Sequence, residues 1–287
     1  MSFYFSYKTL VSNDCKKKLK RLERLCIPYF LWPVIYFFLN KYLIKYFKIK
    51  TRITITIIDL KLQLLYGFKY IFSLWYQWNL IFITISFILI ILIFPKHYNF
   101  ILIILSIISF IYQYNGKNFL YFSKYKPYIT LSLGRILEIL PSSIIGFIIA
   151  SSGIMKYLKK NRLKTIAICI YLCYLIIFYD IFKQIKGYQY CGIKMFLFSI
   201  CVFIIFALFP SDKIKNKKLI KFIKQITNHT AGVYYLHIPV FNCTESYIKY
   251  INNRTMKGCM INYLICYCFC FIGNLIFGRT ILSNLFI

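Results

Sequence analysis

The chain has 287 residues, 60% of them hydrophobic and only 15% charged, with a mean hydropathy of +0.65. A soluble globular domain carries about 25% charged and roughly 45–50% apolar residues, so this composition excludes a soluble enzyme, and an aromatic content of 21% excludes a disordered chain. Thirty-seven Lys and Arg against seven Asp and Glu give a formal charge of +30, carried between apolar runs of near membrane length, which points to anionic lipid and membrane topology and away from nucleic acid.

A spanning helix needs about 20 mostly apolar residues, because lipid offers the backbone no hydrogen-bond partner. In chain order, the sequence predicts a basic cytoplasmic segment over 8–24 and then a first span over 27–47. The stretch 48–71 follows as an amphipathic segment at the interface, with the alternating TRITITII as a minor strand alternative. Further spans are expected over 72–94, 98–114, 132–153, 163–182, 192–210, 231–249 and 259–277, making eight. The fold class is therefore all-α: a polytopic transmembrane helical bundle forming a single integral membrane domain over 1–287. Alternating loops divide the 37 cations 20 to 17, an imbalance too small to orient the chain. The densest clusters, Lys16–Arg24, Lys156–Lys164 and Lys213–Lys224, all fall on the side of the N-terminus, which the positive-inside rule makes cytoplasmic. Asn253, in the sequon NRT, then faces the opposite compartment.

Ionisable groups inside spans are costly and draw attention to themselves. Arg21 and Arg24, at i and i+3 in KKKLKRLER, present two guanidinium groups at the mouth of the first span; they suit phosphate oxygens, or serve with the lysines as a solvated topology signal. Arg135 and Glu138 share a helix face at the start of the fourth span, as an interfacial ion pair or a substrate contact. Asp180 reads as a boundary residue. His237, in TAGVYYLHIPVFN, stands about six residues into the seventh span and before Pro239, with Tyr234 one turn earlier. It is either a satisfied packing residue or a base able to exchange a proton near neutrality. The eleven cysteines include no CxxC pair; Cys169 and Cys173, and Cys266, Cys268 and Cys270, lie in apolar runs where a thiol behaves as a small hydrophobe, so no metal site is expected.

Four segments, RLERLCIPYFLWPVIYFFL (21–39), SLWYQWNLIF (73–82), ILEILPSSIIGFIIA (136–150) and TAGVYYLHIPVF (230–241), together resemble acyltransferase family 3 in order and spacing. These are membrane O-acyltransferases that modify sugars of surface polysaccharides and related acceptors. The resemblance implies a bundle of about ten spans that carries an acyl group, commonly acetyl, from cytoplasmic acyl-coenzyme A to a hydroxyl presented near the other face. It places the family's donor-handling RxxR motif on Arg21 and Arg24. The family's first helix, with an Arg and a catalytic His about ten residues on, has no counterpart here, because Ser2–Tyr7 matches the tail of the second helix. The expectation is thus a fragment of a complete enzyme or a shortened, inactive relative.

The expected function is O-acyl transfer from acyl-coenzyme A, a donor substrate and not a resident cofactor, to a glycan or other hydroxyl acceptor. His237 is the candidate base, Arg21 and Arg24 the donor site, and Trp75, Trp78, Arg135, Glu138 and Tyr234 the candidate substrate contacts, with Tyr76 helping to shape the entry. The rival readings are a transporter or lipid-linked sugar flippase without chemistry, which predicts charged midplane residues and internal repeats, and a receptor or structural component.

Overall fold

The computed structural model describes residues 2–47, 56–67, 74–119, 127–182, 193–208, 216, 220–221, 225–226, 229–247 and 256–278. The regular elements there are helices: α1 (Ser2–Val11), α2 (Cys15–Phe47), α3 (Ile57–Tyr66), α4 (Leu74–Ile93), α5 (Tyr98–Phe119), α6 (Pro127–Ser151), α7 (Ile154–Lys160), α8 (Arg162–Phe182), α9 (Ile193–Leu208), α10 (Thr230–Tyr247) and α11 (Met256–Phe277). No strand occurs among the described residues, as an all-α bundle requires. Residues 51–55 of TRITITII lie outside them, while Ile57 and Ile58 open α3.

Among the described residues, five stretches are long and apolar enough to cross a bilayer: Cys15–Leu39, Leu74–Ile93, Ser132–Ser151, Arg162–Tyr179 and Gly258–Phe277. They overlap five of the eight expected spans, the first beginning at Cys15 inside the expected basic segment and not at residue 27. Two more expected spans appear as the shorter apolar helices Tyr98–Tyr112 and Phe196–Leu208. The seventh is the helix α10, whose sequence mixes His237, Asn242, Thr244 and Glu245 with its apolar residues, and it is not among the five. α8 exposes Ile168, Ile170, Tyr171, Leu172, Tyr174, Leu175, Ile177, Phe178 and Tyr179. A helix that is apolar all round and bare on most sides has lipid as its solvent.

The chain divides into two compact units, Met1–Leu19 with Phe82–Lys213, and Lys20–Ile81 with Ile214–Ile287. In the first, α1 packs on α6 through aromatic rings: Tyr7 meets Phe147 at 4.9 Å, Phe3 meets Phe87 at 4.7 Å, and Phe87 meets Phe147 edge-on at 5.4 Å. Phe3, Phe87 and Phe147 are fully buried, so each contributes the largest burial a side chain can offer. α5 and α6 approach closely where Gly134 lies, since a Cβ there would stand 2.7 Å from the Tyr112 hydroxyl. Pro141, inside α6, removes one rung of the helix ladder, and Ser142 and Ser143 both donate to the Ile139 carbonyl at 2.8 and 3.2 Å. Cys169 and Cys201 are buried on α8 and α9, the packing role expected of Cys169.

In the second unit, α2, α3, α4, α10 and α11 meet. α2 carries Pro28 and Pro33 in its interior, both buried. A proline loosens the carbonyls of the preceding turn, and the buried Gln77 side chain donates to the Leu25 carbonyl at 3.1 Å. α3 starts with a capping box in which Thr56 and Asp59 satisfy each other's backbone N–H. Its polar residues Asp59 and Gln63 are buried while Ile57, Ile58 and Leu65 are exposed, an inverted pattern suited to the apolar surroundings expected of an interfacial segment. α3 ends at Gly67 (φ +64°), whose N–H donates to the Gln63 carbonyl, and the Tyr29 hydroxyl of α2 donates to the same carbonyl and to that of Leu64. α10 and α11 are joined by Val233, Val240, Cys266 and Cys270, and by the buried Thr244 hydroxyl donating to Asn262 at 2.8 Å, while the Asn262 amide donates to the Gly258 carbonyl. Cys266 and Cys270 are buried and Cys268 exposed, as alternating hydrophobes on a helix would be.

Candidate active site

The second unit gathers three of the eight sequence-selected residues, Trp75, Tyr234 and His237, beside one aromatic cluster. Trp32 and Tyr36 stand one turn apart on α2, so they share a face, and both are buried against Leu74 of α4 and Tyr235 of α10. The Trp32 ring stacks on Tyr235 at 5.8 Å and tilts against Tyr36 at 5.6 Å. Tyr234 and Leu236 of α10 pack against the same cluster. Tyr234, the neighbour of Tyr235, reaches Tyr76 on α4 edge-on at 6.5 Å. Trp75 stands edge-on to Tyr76 at 6.1 Å.

His237 borders this cluster. Its ring lies 5.7 Å from that of Tyr234 and 5.9 Å from that of Phe241. Nδ1 contacts the Tyr234 carbonyl, one turn back on α10. A carbonyl only accepts, so this contact requires Nδ1 to carry the proton, which leaves the lone pair on Nε2. Spacing i to i−3 makes such a bond available to any helical histidine in the right rotamer; here it orients the imidazole ring of His237. The other two histidines are placed differently. His97 is exposed in the turn between α4 and α5, and His229 is buried between the rings of Tyr267 and Phe271 at 5.5 and 6.2 Å.

The remaining expected residues divide. Arg21 and Arg24 lie on α2 eleven and eight residues before Trp32, about 16 and 12 Å along an ideal helix axis, so neither is level with it. They are also unequal: Arg21 has Nε and Nη2 shielded from solvent, whereas Arg24 is exposed. The side-by-side exposed pair expected from i, i+3 spacing is thus an inward and an outward guanidinium. Trp78 packs over the C-cap of α3, where a Cβ on Gly67 would stand 2.6–2.9 Å from its Cγ, Cβ and Cδ2; that contact makes Trp78 a structural neighbour of α3. Arg135 and Glu138 form the ion pair at 2.9 Å, half-exposed on α6 in the other unit. The side chain of Asp180, and Asn253, lie outside the described residues.

Several buried polar groups were not legible in the sequence. Trp32 Nε1, Tyr36 Oη, the Asn79 amide nitrogen and both amide atoms of Gln63 are enclosed without a hydrogen-bond partner. Buried polar atoms are nearly always paired, so each such group marks a place where a ligand, water or strain must be considered. The aromatic spacing Trp32–Tyr36 hinted at a shared face, but nothing in a sequence tells a packed indole from one with its N–H left over. Among the described residues no group of three or more His, Cys, Asp or Glu is arranged to hold a metal ion.

The family model described as Acyltransferase domain matches residues 13–279, nearly the whole chain. No curated protein and no solved structure matches it. With an all-helical fold, apolar helices of membrane-spanning length and that match, the chain belongs to the acyltransferase 3 family of membrane proteins.

Proposed function

We propose that the protein transfers an acyl group from acyl-coenzyme A to a hydroxyl of a glycan or related acceptor at the aromatic cluster of the second unit, with His237 as the general base. The observation that carries this reading is the contact of His237 Nδ1 with the Tyr234 carbonyl, which fixes the tautomer that leaves Nε2 able to take a proton. A hydroxyl is a poor nucleophile at neutral pH, and a positioned imidazole contributes typically 10²–10⁴-fold by removing its proton as the bond forms. The oxygen adds to the thioester carbon, the tetrahedral intermediate expels the thiolate, and the proton held on Nε2 passes to the departing sulfur. Acid, base and leaving group are then all restored.

The donor's phosphates are assigned to Arg21 and Arg24 at a cytoplasmic mouth, with the N-terminus on that side. Their offset from Trp32 along α2 suits a ligand whose charged end and thioester are far apart, and the inward Arg21 supplies a shielded guanidinium for a phosphate oxygen. Trp75, Tyr76 and Tyr234 border the approach to His237.

The test is incubation of the detergent-purified protein with radiolabelled acetyl-coenzyme A and a panel of soluble glycans. Label is expected in a glycan product with the wild type and not with His237→Ala. The double variant Arg21→Ala/Arg24→Ala is expected to weaken donor binding while leaving the helical content unchanged. Transfer at wild-type rate by His237→Ala removes the base assignment, and unaltered donor affinity in the double variant removes the donor site.

A further inference from the structure

Two of the unpartnered groups in the cluster are hydrogen-bond donors with no acceptor to serve. The Trp32 indole N–H donates and never accepts. The Tyr36 hydroxyl stands one turn away on the same face of α2, with its ring 5.6 Å from that of Trp32. Trp32 is 2% exposed and Tyr36 5%, and neither polar atom has a hydrogen-bond partner. The hydrophobic side chains packed around the pair include Leu74, Tyr235, Ile27, Leu31, Ile35 and Leu236. Leaving such a donor unpaired costs it the hydrogen bond that water would give, with nothing in return. Two of them on one face, in a cluster bordered by a histidine with its Nε2 lone pair available, describe a place prepared for an acceptor atom that the ligand brings.

The chemistry of the walls narrows that ligand. The hydrophobic side chains of the cluster offer a full anion such as a phosphate nothing to replace the hydration it would lose. A carbonyl oxygen is neutral when it enters and gains charge only as a nucleophile adds, which is when two fixed donors in a dry site stabilise it most. Tyr234 packs against the cluster that holds Trp32 and Tyr36, and its ring lies 5.7 Å from that of His237, so it links the donors to the base.

Building on the acyl-transfer reading above, we propose that Trp32 Nε1–H and Tyr36 Oη–H receive the thioester carbonyl oxygen of the acyl donor and stabilise the oxyanion formed when the acceptor hydroxyl attacks. As the acceptor oxygen bonds to the carbonyl carbon and gives its proton to His237 Nε2, the carbonyl π electrons move to the oxygen held by the two donors. When they return, the carbon–sulfur bond breaks and the thiolate leaves with its electron pair.

Tyr36→Phe tests the assignment, because it removes one donor and keeps the ring. The hydroxyl has no partner in the fold, so the variant should be as stable as wild type or more so, whereas a structural hydroxyl would cost stability on removal. Turnover should nevertheless fall by ~10²–10³-fold in kcat, with KM for acetyl-coenzyme A changed by less than about threefold. Trp32→Phe should lower kcat in the same way. The second readout is the carbonyl stretch of carbon-13-labelled acetyl-coenzyme A bound to the protein in nanodiscs, expected at lower frequency than in buffer and shifted back in Tyr36→Phe. An unshifted band in the wild type overturns the proposal, as does full kcat in Tyr36→Phe. A shifted band without label transfer would instead remove the acyl-transfer reading and leave the carbonyl site. Transfer with an unshifted band would do the reverse.

Discussion

Gly67 and Gly153 provide a matched pair for separating backbone strain from packing. Both adopt positive φ, +64° and +66°. An alanine in that region costs about 1–2 kcal/mol, because Cβ crowds the following carbonyl, and regains about 0.4–1 kcal/mol by restricting the unfolded chain. At Gly153 a Cβ meets nothing within 4 Å, so Gly153→Ala should destabilise by no more than about 1.5 kcal/mol. At Gly67 the same Cβ would stand 2.6 Å from Cγ and 2.7 Å from Cβ of Trp78. Those atoms lie at the root of the side chain and cannot swing aside, so α3 or α4 must move, at a further ~1–3 kcal/mol. Unfolding of the detergent-solubilised protein, followed by circular dichroism in denaturant, would measure both changes. The two positions should also be coupled: Trp78→Gly, which removes Cβ along with the ring, should cost about 1–3 kcal/mol less in the Gly67→Ala background than in the wild type, since it removes the clash. Equal destabilisation by the two alanines, or additive effects of Gly67→Ala and Trp78→Gly, would refute the clash.

Tyr29→Phe removes the hydroxyl that serves the Gln63 and Leu64 carbonyls and should destabilise by about 1 kcal/mol, with amide exchange accelerated in the last turn of α3 and not in α8. In the double-mutant cycle of Thr244→Val and Asn262→Ala, the coupling between α10 and α11 should be about 0.6–1.7 kcal/mol, the range seen for hydrogen bonds between membrane helices; zero coupling would show that the buried pair does not join them. The Asp14 carboxylate is held below its usual pKa chiefly by the Lys17 backbone N–H, which it accepts as the N-cap of α2. A lowered carboxyl pKa adds stability that is complete above the ordinary Asp value and fades as pH falls through the folded one. Protection of the Lys17 amide, measured relative to its intrinsic exchange rate, should therefore fall on acidification in the wild type, and Asp14→Asn should abolish that dependence.

Much of the architecture could be read from the chain because lipid imposes one rule, that backbone groups be satisfied within a helix wherever an apolar run is long enough to cross. The sequence by itself determined the all-α class, the positions of four of the five membrane-length helices and the family; the first such helix starts at Cys15, inside the segment read as basic and cytoplasmic. It also determined the Arg135–Glu138 pair, since helical spacing alone brings i and i+3 together. Proximity between residues far apart in the chain was not available from periodicity. Only the tertiary structure turned Arg21 inward and Arg24 outward, set Trp78 over Gly67, and brought Trp32 and Tyr36 of α2 against Tyr235 of α10, some 200 residues later. Whether a buried donor finds an acceptor depends on every neighbour at once. That is why Trp32 and Tyr36 read as ordinary membrane aromatics in sequence and as unfilled hydrogen-bond donors in the fold.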